Sequence, residues 1–281
     1  MRSNLRTRVL TALVLAVAVV GTLATGSTVL WALVMTCFSL AGAWEFLRLA
    51  TGASRLQKTA SVALLLALML AFTYVVFFEG LTDNSARISV TVFLCLAALF
   101  WWLVVPTQLA KKSIPFGSWL AVFTLPVVMG SAWLAGVLLQ RAGARYLLAV
   151  VVITAVADIA AYFVGRAIGR VKLAPAISPG KTREGAIAGV LAAALWTAAM
   201  AFSLDLISGF LPLLGAFAAG ALLGVSAVMG DLWESLLKRQ AGVKDSSQLL
   251  PGHGGVLDRV DAQLAVLPLA TLLIACMKPI W

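Results

Sequence analysis

The sequence predicts an all-α, polytopic integral membrane protein of about nine transmembrane helices, N-terminus in the cytoplasm and C-terminus outside. Three observations carry this. Hydrophobic residues make up 62% of the chain and charged residues only 11%, with a mean hydropathy of +1.03, a composition foreign to soluble globular domains. Apolar runs of about 20 residues recur along the length, each sufficient to cross a hydrocarbon core roughly 30 Å thick. Basic residues also segregate: with the N-terminus inside, all but four of the 21 Lys and Arg fall on the cytoplasmic side, the asymmetry that sets membrane orientation.

The runs cover residues 9–25, 27–44, 59–78, 88–105, 117–139, 146–164, 185–203, 211–229 and 262–278. They are too long and too evenly apolar for barrel strands. They fill the chain, so 1–281 reads as one membrane domain, with 1–145 mainly scaffold and 146–281 carrying the chemistry. The net charge of +10 is mostly cytoplasmic and attracts anionic lipid headgroups; no nucleic-acid partner is expected.

Arg2, Arg6 and Arg8 before the first run resemble a signal peptide, but eight further runs follow, so a retained first helix is expected. Cys37, Cys95 and Cys276 fall inside spans; they imply no disulfide framework and read as small core hydrophobes. Trp101, Trp102, Trp119 and Trp133 read as interfacial anchors or packing residues. Glu45, Arg48, Arg55 and Lys58 read as a helix end entering a basic cytoplasmic loop, as do Lys111 and Lys112, with a phosphate contact as the other reading.

The pattern changes at the sixth run. Asp158 lies within Ala-Val-Ala-Asp-Ile-Ala-Ala-Tyr-Phe-Val-Gly-Arg, and a carboxylate inside a span costs several kcal/mol unless paired or hydrated. It shares a helix face with Tyr162, Ala161 and Gly165. The alternative is an interhelical hydrogen bond that only holds the bundle together. The next loop carries Arg166, Arg170, Lys172, Ser178, Pro179, Lys181, Thr182, Arg183 and Glu184. Hydroxyls, amides and cations at a helix N-terminus make a natural anion site. The P-loop spacing is absent, and a capping loop with topology-setting charge would look alike.

If the eighth helix continues past the membrane, Asp231, Glu234, Ser235 and Lys238 fall on one face. Arg239, Lys244 and Asp245 follow, then Pro251-Gly252-His253-Gly254-Gly255, where glycines let amides approach a ligand. Asp258, Arg259 and Asp261 open the last span. Separated carboxylates at Asp231 and Asp258 suit Mg²⁺, which takes one or two protein carboxylates and completes its shell with water and phosphates. Each acid could instead pair with a neighbouring Lys or Arg. With one histidine in the chain, no His-rich zinc site forms, and His253 reads as a phosphate contact or loop-ordering group.

Ser235, Lys238, Arg239, Lys244, Asp245, His253, Gly254, Gly255, Asp258, Arg259 and Asp261 meet every fixed position of a long C-terminal signature. In it the chain resembles the phosphatidate cytidylyltransferase (CDP-diacylglycerol synthase) family. Asp158 to Arg166 and Ser178 to Gly185 also look like the family, with Gly180 departing where a polar or basic residue is more usual.

The resemblance implies a membrane enzyme making CDP-diacylglycerol and pyrophosphate from CTP and phosphatidic acid. It implies Mg²⁺, with a second cation left open, a homodimer, and a bacterial inner-membrane location with the site on the cytoplasmic side. By that similarity Asp231 and Asp258 are the metal ligands. Lys238, Arg239, Lys244, Asp245, His253, Arg259 and Asp261 are the catalytic set. Asp158, Tyr162, Arg166, Ser178, Lys181, Thr182, Ser235, Gly254 and Gly255 line the substrate site. A CTP-dependent polyprenol-type lipid kinase and a polytopic transporter of an anionic substrate are the alternatives. The kinase would release CDP, and the transporter should show an internal repeat.

Overall fold

The computed structural model describes residues 2–81, 83–278 and 280, without the side chains of residues 2–8, Ala12 and Leu120. The expectations placed on the side chains of Arg2, Arg6 and Arg8 and on Trp281 lie outside the described residues.

The helices are α1 (Arg2–Ala24), α2 (Thr28–Leu49), α3 (Arg55–Tyr74), α4 (Asn84–Leu99), α5 (Val105–Lys111), α6 (Ser131–Ala142), α7 (Ala144–Ile168), α8 (Arg183–Ser203), α9 (Phe210–Gln240) and α10 (Leu257–Met277). Short π-helical turns extend α3 through Glu79, join α4 to α5 and lead into α6. Caps start several of them: Ser27 accepts from the Leu30 amide, Ser54 and Gln57 form a reciprocal capping box, and Thr182 accepts from the Gly185 amide, each satisfying amides that a helix start leaves open.

Eight helical stretches among the described residues are long and apolar enough to cross a membrane, and Val9–Ala24 of α1 adds a shorter apolar helix. The bundle is centred on the segment Ala121–Ala142, the most enclosed of the eight. Around it, α2, α4, α7 and α10 pack directly on α6, while α7, α8, α9 and α10 pack in succession. One feature departs from an all-α reading. The loop after α7 is a two-stranded antiparallel hairpin, β1 (Lys172–Ala174) and β2 (Ser178–Thr182), with Lys172 opposite Thr182. Its base is closed by Arg183 N–H donating to the Val171 carbonyl at 2.8 Å and by the Glu184 carboxylate accepting from the Val171 amide.

Loops that the charge pattern puts on one side do meet at one end. Gln57 donates to the Gly117 carbonyl (3.1 Å), Gln240 brackets the Ile114 backbone (2.9 and 2.8 Å), and Arg239 donates to the Ile177 carbonyl (3.3 Å). At the other end Gln140 reaches Gly26 and Lys278 reaches Tyr146. Trp101 and Trp133 are buried packing residues, Trp102 donates to Ser226 (3.1 Å), and Trp119 is exposed. The cysteines correct the sequence reading: Cys37, Cys95 and Cys276 are all exposed rather than core, because each sits on the outward face of its helix.

Candidate active site

Helix α9 organises the site. Its 31 residues rise about 46 Å at 1.5 Å per residue, more than a hydrocarbon core of about 30 Å needs. The surplus turns carry Asp231, Glu234, Ser235 and Lys238, as the spacing predicted. Gly230 lets this end close on α10: a Cβ there would stand 2.5 Å from the Asp261 carbonyl oxygen. That contact brings the acids of α9 and α10 together.

Two ion-paired units result. The Lys181 ammonium, from β2, pairs with the Asp231 carboxylate, and the Ser235 hydroxyl lies 3.4 Å from the other Asp231 oxygen. The Lys238 ammonium sits 2.6 Å from both Glu234 and Asp258. Asp258 also accepts from the Ser246 amide (2.9 Å) and the Gly255 amide (2.8 Å), and the Ser246 hydroxyl lies 2.9 Å away, within reach of Asp258 and Glu45 alike. Asp261 accepts from the Ala262 amide (2.8 Å) and, with Asp158 of α7, lies within electrostatic reach of Asp231.

A cavity of about 580 Å³ opens beside the first pair, between α7, α8, α9 and the hairpin. Asp158, Tyr162, Arg166, Lys181 and Thr182 line it, with the Arg166 guanidinium donating to the Tyr162 hydroxyl (2.9 Å). Gly180 lines it too, and a side chain there would meet nothing within 4 Å. The arrangement pairs a polar, charged rim with small apolar walls, the lining expected of a small-molecule site.

Other expected residues stand apart from this cluster. Arg259 lines a separate, mostly apolar cavity of about 230 Å³ between α1, α2, α6, α7 and α10, while its Nε donates to the His253 carbonyl (3.0 Å). Arg239 holds the hairpin through Ile177. Ser178 pairs with Ala174 in the hairpin, and Lys244 and Asp245 are exposed on the turn after α9. Gly252 and Gly254 adopt positive φ. The amides of the run turn inward: His253 N–H donates to Leu250 and Gly255 N–H to Asp258.

The acids Asp158, Asp231, Glu234, Asp258 and Asp261 outnumber the two lysines that meet them, and a divalent cation fits such a surplus. Among the described residues no group of three or more His, Cys, Asp or Glu forms a ready metal cage.

The residue that sequence reading missed is Glu45. Instead of entering a basic loop, its side chain is fully buried and accepts from the Ser246 hydroxyl (2.9 Å), the Ser247 hydroxyl (2.5 Å), and the amides of Val256 (2.9 Å) and Leu257 (2.7 Å). Beside it Phe46 stacks on Trp233 of α9, centroids 6.0 Å apart. An acid at the end of an apolar run was the available signal, by the same burial cost that singled out Asp158.

The sequence profile of the cytidylyltransferase family matches residues 6–277. The chain is 35% identical to a phosphatidate cytidylyltransferase of Pseudomonas aeruginosa over 276 residues, 96% of this chain and 97% of that protein. It is 35% identical to one of Haemophilus influenzae, covering 94% and 96%. It is 50% identical to one of Brucella suis over 115 residues, 41% of each chain.

Proposed function

This chain belongs to the cytidylyltransferase family, and we propose that it transfers CMP from CTP to phosphatidic acid, giving CDP-diacylglycerol and pyrophosphate. The observation that carries the reading is the pair of lysine–carboxylate units, Lys181–Asp231 and Lys238–Asp258, the first of them beside a cavity between helices that Lys181 lines. Cations and carboxylates there suit a metal-bound triphosphate, and the lateral cavity suits a lipid phosphate.

In the reaction a phosphatidate phosphate oxygen attacks the α-phosphorus of CTP in line; that P–O bond forms as the bond to the β-phosphate breaks, and pyrophosphate leaves. The nucleophile is anionic at neutral pH, so no strong base is required, and catalysis rests on positioning and charge neutralisation. Mg²⁺ held by Asp231 and Asp258 would supply charge stabilisation to the triphosphate and its leaving group. Lys238, Lys244 and Arg239 would neutralise the phosphates. Arg166, Lys172 and Lys181 draw the lipid phosphate toward Asp158 and Tyr162. Ser178, Thr182 and Glu184 hold the hairpin that presents Lys181.

In the same reading α1 is the ninth span, and the end bearing the site faces the cytoplasm of a bacterial inner membrane, in support of which stands the segregation of Lys and Arg. The working unit is a homodimer, as the resemblance implies.

The test is an assay of the detergent-solubilised chain with phosphatidic acid, Mg²⁺ and CTP labelled separately at the α and γ phosphates. Label from the α position should enter lipid while γ label leaves as pyrophosphate. Entry of γ label into lipid means a kinase; no transfer by folded protein turns the reading toward transport.

A further inference from the structure

Helix α10 begins without a side-chain cap of its own. Val256 stands at its cap position and makes no capping hydrogen bond, although the first amides of any helix need acceptors. Those of Val256 and Leu257 are met by the carboxylate of Glu45, a residue of α2 more than 200 positions earlier in the chain. An anion at a helix N-terminus is also favoured by the helix dipole.

The same carboxylate holds Ser246 and Ser247, and the Ser246 hydroxyl lies 2.9 Å from both Glu45 and Asp258. A hydroxyl carries one proton and donates it to one acceptor at a time, so the two carboxylates are linked through one group. Gly255 makes room for this arrangement: a Cβ there would collide with the Ser246 hydroxyl and with both Glu45 oxygens. The lack of a side chain at Gly255 is thus required by Glu45 and Ser246.

We infer that Glu45 is a positioning residue of the reaction: from the end of α2 it fixes Ser246 and the first turn of α10, and so holds Asp258 in line with Lys238. The inference rests on the reaction proposed above. It makes α2 part of the catalytic unit rather than scaffold. Glu45 itself touches no substrate, and its influence runs through Asp258.

The test compares Glu45→Gln, Glu45→Asp, Ser246→Ala and the double variant Glu45→Gln/Ser246→Ala with the wild type. Trp196→Phe, which removes a hydrogen bond from α8 to the Ala149 carbonyl, is the control for a lost contact elsewhere. Glu45→Gln is nearly isosteric but puts an amide where two donors point. Its kcat should fall about 10- to 100-fold, the range seen when a supporting partner is lost or a group is misplaced by about 1 Å. KM for CTP should stay within a few-fold. Glu45→Asp should recover part of kcat, and the double variant should be no worse than the poorer single one, because both act on one link. Trp196→Phe should keep its kcat.

Hydrogen exchange supplies a readout separate from turnover. In Glu45→Gln, residues 244–258 should exchange faster, while α7 and α8 keep wild-type rates. A kcat within twofold of wild type for Glu45→Gln, additive losses in the double variant, or faster exchange spread evenly over the helices would each overturn the inference. A wild-type chain that moves no CMP overturns the proposed reaction, and the inference falls with it.

Discussion

Lys238 is the ammonium on which the second ion-paired unit depends, and Lys238→Met removes its charge while keeping most of its length. Glu234 and Asp258 each lie 2.6 Å from it, with side chains only 2% and 6% exposed, and Lys238 itself is 14% exposed. Water therefore screens these charges poorly. Breaking a buried pair by deleting one partner typically costs about 3–5 kcal/mol, because the remaining charge is left uncompensated. Asp258 keeps the amides of Ser246 and Gly255 and shares the Ser246 hydroxyl with Glu45, whereas both Glu234 oxygens have no hydrogen bond beyond the ion contact. The loss should thus sit near about 3 kcal/mol and fall chiefly on Glu234. The assay is the midpoint for heat-induced loss of monodisperse, detergent-solubilised protein. Lys238→Met should lower it, and adding Glu234→Gln should restore part of the difference. Turnover should drop about 10²-fold or more in both, as for a lost electrostatic donor. An unchanged midpoint in the single variant, or no recovery in the double one, would refute the pairing argument.

Three further outcomes follow from the same geometry. Asp231→Asn should lower Mg²⁺-dependent turnover by about 10²-fold or more; a near-normal rate sinks the metal assignment. Gly230→Ala forces a Cβ to 2.5 Å from the Asp261 carbonyl and should cost about 1–3 kcal/mol as overpacking, read as a lower thermal midpoint with weaker turnover; full retention of both would mean α9 and α10 can part without harm. Gly180→Lys enters open space beside the cavity, should fold normally and should lower KM for an anionic substrate by up to about fivefold, the scale of an exposed charge pair; a raised KM contradicts it.

The elements written in local pattern were readable, and those made by distant partners were not. Eight of the nine apolar runs fall on helical stretches that, among the described residues, are long and apolar enough to span, and the first falls on the shorter Val9–Ala24; the face of Asp231, Glu234, Ser235 and Lys238 stands as the helical period requires, because α9 continues unbroken to Gln240. The hairpin of Lys172–Thr182 was hidden by Gly and Pro in a short loop, where two strands of three and five residues leave no periodic trace. Arg259 was grouped with the phosphate-binding cations by its place in the motif, yet the rotation of α10 that turns Asp258 toward Lys238 turns Arg259 to another cavity. Glu45 carried a local clue in its acid beside an apolar run, but its partners lie at the far end of the chain, and no window of sequence contains both.

Glu45 also sets an order of events in synthesis. Helix α2 emerges and inserts with a carboxylate whose acceptor sites stay unfilled until residues 246–257 have been made. Until then water, or protonation of the carboxyl, has to take the place of those donors. The last span is therefore the one that dries and locks it. On the proposed reaction, catalytic competence arrives with α10, and a chain stalled in translation before it would hold its earlier helices in the membrane yet lack Asp258 and stay inert toward nucleotide.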